Sequence, residues 1–289
     1  MWIKKFALLF ILLLSLALVA CAGTGGTETP SDPAATEAPS ETGSGETSAL
    51  PDLGGREITV AVENAYLPFN YIDPTTGEPA GWDYDAIRAM CELLNCTPVF
   101  VEAAWEGMIQ AVADGQYDMA ADGITITDER KEIVDFSDGF ISIDQRFLAR
   151  IDEDRFDSVQ SFVDNSELIL GTQTGTTNFE TASEILPADR IQAFEQFPFA
   201  VQALIAGDID AVIIDETAGL GYQGVNADSL KLVGESLSSD QLGFVFPKGS
   251  ELVAAINAAM AELRANGTME DLAGRYFTDA FTITYDDLE

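Results

Sequence analysis

Histidine is absent from this chain of 289 residues, and cysteine occurs only three times. Histidine is the usual general base near neutral pH and the commonest metal ligand of proteins. A hydrolase with a Ser/His/Asp triad is therefore excluded. A histidine-ligated metal centre is excluded for the same reason. We expect neither a metal site nor another cofactor.

Two of the cysteines, Cys91 and Cys96, lie five positions apart near the end of a predicted helix. They lack the histidine partners that a metal site would need. In an oxidising compartment such a pair favours a local disulfide, and two free buried thiols are the alternative.

Basic residues are scarce as well. The chain has 14 Lys and Arg against 49 Asp and Glu, so its formal net charge is −35. Such a surface repels phosphate backbones and anionic lipid headgroups. Nucleic acid is therefore not expected as a partner.

The N-terminus carries an apolar run over residues 6–14 that follows Lys4 and Lys5 and leads to Leu18-Val19-Ala20-Cys21. This ending is the cleavage pattern of bacterial lipoproteins, although the apolar length also permits one spanning helix. The sequence predicts a signal peptide over residues 1–20 and a lipid on Cys21 that anchors the protein to a membrane. We expect an extracytoplasmic location, in the periplasm or on the outer cell surface.

A low-complexity segment follows the predicted lipidation site. Residues 22–52 contain Gly, Thr, Ser, Pro, Glu and Ala but no Lys, Arg or aromatic residue. Such a composition cannot bury enough apolar surface to fold, so residues 21–55 are predicted to form the lipidated cysteine and a disordered tether.

Strands and helices alternate in the remainder of the chain, which predicts an α/β fold built from βαβ units. Two aromatic residues and a proline follow the first predicted strand, and they are either core and turn residues or a stiff face for a small ligand. The predicted strands are Ile58–Val62, Pro98–Val101, Met119–Gly123, Leu168–Leu170, Ile191–Phe194, Ala211–Asp215 and Gly243–Phe246. The predicted helices include Gly81–Leu94, Trp105–Val112, Ser158–Val163, Val201–Ala206, Leu252–Leu263 and Thr268–Tyr276.

Seven short segments in this region resemble, in order and spacing, the family 3 extracellular solute-binding proteins, which deliver polar amino acids to ABC importers. The segments are Ala65–Phe69, Gly81–Asp85, Trp105–Ile109, Asp122–Arg130, Val134–Ser137, Gln173–Thr177 and Gly207–Ala211. The resemblance implies a two-lobe periplasmic-binding-protein-like fold (type II, Venus flytrap) with two crossing hinge strands.

The resemblance also implies the lobe boundaries and the partners. Lobe I comprises residues 56–144 and 241–289, and lobe II comprises residues 145–240. Closure is then a hinge motion near residues 142–146 and 240–243. The implied partners are a free amino acid and the permease subunits of an ABC transporter, and the protein is expected to be a monomer.

Three residues match the family's site for the α-carboxylate of the ligand. Arg130 takes the position of the arginine that binds this carboxylate, for which a planar guanidinium offers two parallel donors. The alternative is a pairing of Arg130 with Asp128 or Glu132. Thr176 and Thr177 match the positions that complete the site at a helix N-terminus, where ordinary helix capping is also possible.

Other residues match the positions around the rest of the ligand. Asp215 corresponds to the aspartate that binds the α-ammonium, although an acid at a strand end is also a common helix N-cap. Thr125 and the backbone of Gly123 add contacts from lobe I. Tyr66 and Trp105 match the two aromatic residues that enclose the ligand's side chain.

Two acids depart from the commonest family pattern, in which the Glu63 position is often Asp and the Asp122 position is more often Ala or Ser. Near the ligand's side chain, they favour a cation such as arginine, lysine or ornithine over a neutral amino acid such as glutamine. The alternative is that Asp122 neutralises Arg130 or binds the ammonium group, which leaves room for a neutral ligand.

Other classes of protein share the expected fold. A prephenate-type dehydratase needs a general acid in the cleft, and Glu63 or Asp122 has the chemistry for that role. A binder of compatible solutes such as ectoine would keep the arginine and aromatic contacts. A sensor domain would need a membrane span and a signalling domain, which the pattern does not suggest. We therefore expect a binding protein and not an enzyme.

Overall fold

The computed structural model describes residues 50–278 together with residues 281 and 283. The predicted signal peptide over residues 1–20, Cys21 and most of the predicted tether lie outside the described residues. Within the part of the chain that is described, no helix combines the length and the hydropathy of a membrane span.

The elements alternate along the chain as the sequence predicts. The strands are β1 (Arg56–Val62), β2 (Ala65–Tyr66), β3 (Asn70–Ile72), β4 (Pro79–Ala80), β5 (Cys96–Glu102), β6 (Met119–Ala120), β7 (Val134–Phe136), β8 (Ile141–Arg150), β9 (Leu170–Gln173), β10 (Ile191–Phe194), β11 (Ala211–Asp215), β12 (Leu230–Val233), β13 (Ser239–Leu242) and β14 (Val245–Pro247). The helices are α1 (Trp82–Leu94), α2 (Met108–Ala113), α3 (Asp128–Ile133), α4 (Val159–Asp164), α5 (Thr177–Ile185), α6 (Phe197–Ala206), α7 (Glu216–Val225), α8 (Leu252–Ala265) and α9 (Thr268–Tyr276).

The first sheet has the strand order β5-β1-β6-β14-β7. Strand β1 pairs in parallel with both β5 and β6, which is the arrangement that βαβ crossovers produce. Helix α1 buries Trp82, Ile87, Met90 and Leu94, which recur at helical spacing and give the helix one apolar face. A small antiparallel sheet of β2, β3 and β4 follows β1 and carries the aromatic segment predicted from the sequence.

The second sheet has the strand order β10-β9-β11-β8-β12. Strand β9 runs parallel to β10 and β11, whereas β8 runs antiparallel to β11 and places Gln145 opposite Asp215. Strand β11 is buried throughout, as expected for a central strand with an apolar run.

Strand β8 connects the two sheets. Its first residues pair with β13, with Ile141 opposite Leu242, and its later residues pair with β11 and β12, with Phe147 opposite Ile213. The chain therefore crosses between the sheets along β8 and again along β13. This is a two-lobe α/β fold with two crossing strands, as the resemblance implied.

Several predicted boundaries were wrong. Helix α2 begins at Met108 and not at Trp105, because Gly107 has a φ of 87° that ends the preceding turn and leaves Trp105 outside the helix. Strand β9 covers Leu170–Gln173 and not 168–170, since its pairing with β10 and β11 starts at Leu170. This shift places Gln173, which lies three residues beyond the predicted end of the strand, at the carboxyl end of β9.

Other elements were displaced by a few residues or not predicted. Helix α6 begins at Phe197, four residues earlier than expected, because Pro198 is accommodated in its first turn. The last strand covers Val245–Pro247 instead of 243–246. The short strands β2, β3, β4 and β7 have too few residues to show an apolar period.

The two cysteines meet at the start of the second βα unit. Asn95 ends α1 with a φ of 53°, and this left-handed residue turns the chain directly into β5. Cys91 and Cys96 form a disulfide, with their Cα atoms 4.6 Å apart. The bond links the last turn of α1 to the first residue of β5.

Candidate functional site

A cavity lies where strands of both sheets end. Four elements reach it at their carboxyl ends, namely β1, β6, β9 and β11, which is where α/β folds usually place ligands. It encloses about 310 Å³ of space between atoms, part of which is open to solvent.

All ten residues that the sequence predicted as ligand contacts line this cavity. They are Glu63, Tyr66, Trp105, Asp122, Gly123, Thr125, Arg130, Thr176, Thr177 and Asp215. The structure adds Gln173, Asn178 and Phe197 to the lining. The predicted residues from Glu63 to Arg130 lie on the side of the first sheet. The remaining lining residues lie on the side of the second sheet, and they are Gln173, Thr176, Thr177, Asn178, Phe197 and Asp215.

Arg130 is held by the backbone next to it. Its Nη1 donates to the carbonyl of Thr125 at 2.9 Å, and its guanidinium carbon lies 5.4 Å from the centre of the Trp105 ring. No ion pair among the described residues involves Arg130, and Asp128 pairs with Lys131 instead. The alternative partners on its own helix are therefore not used, and its remaining N–H groups are available to an anion.

The two threonines at the start of α5 have different partners. The hydroxyl of Thr176 accepts from the backbone N–H of Phe179 at 3.1 Å and caps the helix. The hydroxyl of Thr177 lies 3.3 Å from that of Thr125, across the gap between the two sheets. The cavity thus meets a helix N-terminus, which favours negative charge, close to the guanidinium side of the first sheet.

Asp215 is a buried acid with its carboxylate in the cavity wall. Although it precedes α7, its side chain makes no capping hydrogen bond. One carboxylate oxygen accepts from the amide of Asn178 at 3.0 Å. Burial raises the pKa of Asp215 to about 6, so a cationic ligand group would favour its charged form.

The aromatic residues form two separate contacts. Tyr66 stacks on Phe69 and on Phe197, with ring centres 5.5 and 5.2 Å apart, so it joins the two sides of the cavity. Gly123 has a φ of 57°, and a Cβ there would come within 2.8 Å of the Tyr66 ring, so only glycine fits. The indole N–H of Trp105 donates to the carbonyl of Gly175 at 3.1 Å.

Two further acids, Glu63 and Asp122, are almost fully buried, with exposures of 5% and 4%. Burial raises the pKa of Glu63, and burial raises the pKa of Asp122 well above its usual range, with the charges of Glu63 and Asp83 adding to the effect. Asp122 accepts from the amide of Asn70 at 2.7 Å and from the backbone N–H of Glu63 at 3.3 Å. In the described part of the chain it forms no ion pair with Arg130, contrary to one alternative considered from the sequence.

Three lining residues were missed by the sequence reasoning. Gln173 and Asn178 flank the predicted threonines, so their proximity to the helix N-terminus was a usable signal. Phe197 gave no such signal, because an aromatic residue in the first turn of a helix is ordinarily part of the core.

Together, the crossing strands, the cavity between two sheets and its buried charged groups define a two-lobe ligand-binding protein of the periplasmic binding-protein class. The chain belongs to the bacterial extracellular solute-binding proteins, family 3, whose model matches residues 58–279.

Individual relatives are amino-acid-binding proteins. The chain is 30% identical over 242 residues to the L-arginine-binding protein of Pseudomonas aeruginosa, an alignment that covers 77% of this chain and 88% of that protein. It is 27% identical over 222 residues to the L-cystine-binding protein TcyJ of Escherichia coli, covering 76% of this chain and 82% of that protein.

Solved structures agree with the fold. An ancestral arginine-binding protein bound to glutamine superimposes with a TM-score of 0.71 at 30% identity, covering 76% of this chain and 97% of that one. The ancestral amino-acid-binding protein AncCDT-1, a precursor of cyclohexadienyl dehydratase, superimposes with a TM-score of 0.69 at 30% identity, covering 77% of this chain and 95% of that one.

Proposed function

We propose that this protein binds a free amino acid with a cationic side chain in the cavity and delivers it to an ABC import permease. One observation carries the proposal. The buried carboxylates of Glu63, Asp122 and Asp215 line the same cavity as Arg130, and no ion pair among the described residues involves them. Buried charges are costly without partners, so a ligand with complementary charges gains from all of them.

Each ligand group has a partner in this proposal. Arg130 and the N-terminus of α5 at Thr177 bind the α-carboxylate, and Asp215 binds the α-ammonium. Glu63 and Asp122 attract the cationic side chain, which suits arginine, lysine or ornithine.

The other lining residues complete the proposed site. Tyr66 and Trp105 cover the aliphatic part of the ligand, Thr125 and the backbone of Gly123 add polar contacts, and Thr176 holds the helix that carries Thr177. The ligand then touches both sides of the cavity, so it favours a closed state over an open one.

The mode of delivery follows from the same proposal. The two lobes meet between residues 144 and 145 and between residues 240 and 241, and they close about these crossings. A lipid on Cys21 and the segment over residues 22–55 tether a monomer to the membrane next to its permease. The binding protein itself performs no chemistry on the ligand.

A ligand screen tests the assignment. Thermal shift with L-arginine, L-lysine, L-ornithine, L-glutamine and L-cystine measures stabilisation by mass action, and calorimetry then gives the affinities. We expect the cationic amino acids to raise the melting temperature more than glutamine or cystine. Stabilisation by glutamine without stabilisation by arginine would refute the cationic preference.

A dehydratase activity is the second candidate. The raised pKa values of Glu63 and Asp122 in a cavity are compatible with a general acid, and the similarity to AncCDT-1 gives this possibility a structural basis. Incubation with prephenate distinguishes the two. Formation of phenylpyruvate would show catalysis, and unchanged prephenate supports a binding protein.

A further inference from the structure

One buried amide connects two buried carboxylates behind the cavity. The side-chain nitrogen of Asn70 donates to Asp122 at 2.7 Å and to Asp83 at 3.0 Å. Asn70 and Asp83 are completely inaccessible to solvent. Only Asp122 lines the cavity, so Asp83 influences a ligand through Asn70 and Asp122.

The orientation of the Asn70 amide is fixed by a third contact. Its carbonyl oxygen accepts from the backbone N–H of Asn64 at 2.7 Å, which leaves the nitrogen facing the two acids. The two hydrogens of this amide thus serve one carboxylate each. The second oxygen of Asp83 is buried and has no hydrogen-bond partner among the described residues.

No positive charge compensates these acids in the described structure, where none of the ion pairs includes Asp83, Asp122 or Glu63. The titratable groups that face Asp122 are Glu63 after β1, Asp83 on α1 and Tyr66 on β2. Asp83 also faces Tyr84, its neighbour on α1. These groups are acids or phenols, so their charged forms oppose a second negative charge on the pair.

Burial raises the pKa of Asp83 to about 7 and raises the pKa of Asp122 well above its usual range. Two buried carboxylates at one amide titrate as a unit, and the first ionisation disfavours the second. A protonated carboxyl group on either acid also supplies a hydrogen-bond donor, and these buried oxygens have too few donors around them.

We propose that Asp83 and Asp122 share one proton in the ligand-free protein, and that a cationic ligand side chain beside Asp122 expels this proton to solvent. The inference rests on the proposed binding of a cationic amino acid. The carboxylic O–H bond breaks, its electron pair stays on the carboxylate oxygen, and a buffer base takes the proton. Asp83 and Asn70 are then positioning residues that set the charge of Asp122.

The shared proton predicts the direction in which the affinity for a cationic amino acid changes with pH. Binding that releases one proton strengthens as pH rises, by up to about tenfold per pH unit while the pair holds its proton in the free protein. A neutral amino acid leaves this proton in place, so above the pKa of Asp215, which is about 6, its affinity changes little with pH. Selectivity for cationic amino acids therefore increases with pH.

Calorimetry in two buffers with different ionisation enthalpies measures the proton count directly. At about pH 6.5 we expect the wild-type protein to release nearly one proton more on binding L-arginine than on binding L-glutamine, whose α-ammonium expels only the protonated fraction of Asp215. Asp83→Asn removes one of the two neighbouring acids that oppose ionisation of Asp122, while burial and Glu63 still oppose it, so we expect the release to fall measurably below the wild-type value. Glu92→Gln, which removes an exposed acid from the same helix, serves as the matched control and leaves the release unchanged.

The outcomes separate this inference from the proposed function. Binding of arginine without proton release overturns the shared proton and leaves the cationic preference intact. Binding of glutamine but not arginine refutes the cationic preference itself. If the Asp83→Asn variant releases as many protons as the wild type on binding L-arginine, Asp83 does not set the charge of Asp122. The wild-type proton count needs no variant, so it decides the matter even if Asp83→Asn does not fold.

Discussion

The side-chain amide nitrogen of Gln173 lies 2.9 and 3.1 Å from the two carboxylate oxygens of Glu63. Glu63 follows β1 of the first sheet, and Gln173 ends β9 of the second. The same nitrogen also donates to the carbonyl of Glu195 at 2.9 Å, which holds the amide in place. Glu63, which is proposed to favour a cationic ligand, therefore also joins the two sides of the cavity.

Gln173→Ala is expected to weaken L-arginine binding by about tenfold to 150-fold. The substitution removes hydrogen bonds to a charged partner that exist only when the two sides are together, and such bonds contribute about 1.5–3 kcal/mol each. Because the loss affects the closed state, it should increase the dissociation rate more than it lowers the association rate. Stopped-flow measurements of both rates test this.

The matched control for Gln173 is Gln160→Ala, which removes an exposed glutamine that bonds to Asp164 on its own helix. It should leave both rates unchanged. An unchanged dissociation rate in Gln173→Ala would show that the contact does not contribute to closure.

Arg130→Ala should lower the affinity for amino acids at least ~30-fold while the protein stays folded. The loss of a buried charge partner costs about 2–5 kcal/mol in binding. The fold should persist because, among the described residues, the side chain makes one backbone hydrogen bond and no ion pair. Calorimetry with L-arginine and circular dichroism provide the two readouts.

A surface arginine provides the comparison for Arg130. Arg88 is half exposed on α1 and lies over the rings of Tyr84 and Phe100, away from the cavity lining. The Arg88→Ala variant should bind L-arginine with the affinity of the wild type. Micromolar binding retained by Arg130→Ala would refute the proposed carboxylate site.

Trp105→Phe isolates the hydrogen bond from the indole to Gly175. Phenylalanine keeps an aromatic face beside Arg130 but has no N–H donor, so we expect about a fivefold loss of affinity. Trp105→Ala removes the ring as well and should cost considerably more. Equal affinities for wild type and Trp105→Phe, measured by calorimetry, would show that the bond to Gly175 is not needed for binding.

Glu153 predicts acid-dependent stability outside the cavity. Arg155 Nε and Arg150 Nη2 donate to its carboxylate at 2.9 and 3.0 Å, and the bond from Arg155 holds the pKa of Glu153 at about 2. A carboxylate with a lowered pKa stabilises the fold above its unfolded pKa, and this contribution is lost as pH falls towards 2.

Glu153→Gln should therefore lower the free energy of unfolding at pH 7 by about 2 kcal/mol and lose its effect as the pH approaches 2. Denaturant melts at several pH values measure the difference. Asp154→Asn, which changes the exposed neighbouring acid, should have little effect at any pH. A constant difference between wild type and Glu153→Gln across the pH range would exclude the ionic explanation.

The helices and central strands were largely predictable from local pattern. Strands β10 and β11 have the predicted bounds, and the central β11 shows the unbroken apolar run expected of a buried strand, whereas β10 lies at the sheet edge. The errors fell where pairing decides the limits of an element, as at Gln173. Strand β8 was recognised only in part, since its ten residues serve two different sheets and show no single period.

The sequence by itself determined the class of fold, the order of its elements and the residue types that line the cavity, because each depends on short-range patterns and ordered motifs. Only the tertiary structure decided which charges meet. The contact of Gln173 with Glu63 joins residues 110 positions apart, and the amide of Asn70 joins two acids that have no common motif. Burial and partner choice set the charge of such groups, and both arise from packing between distant segments.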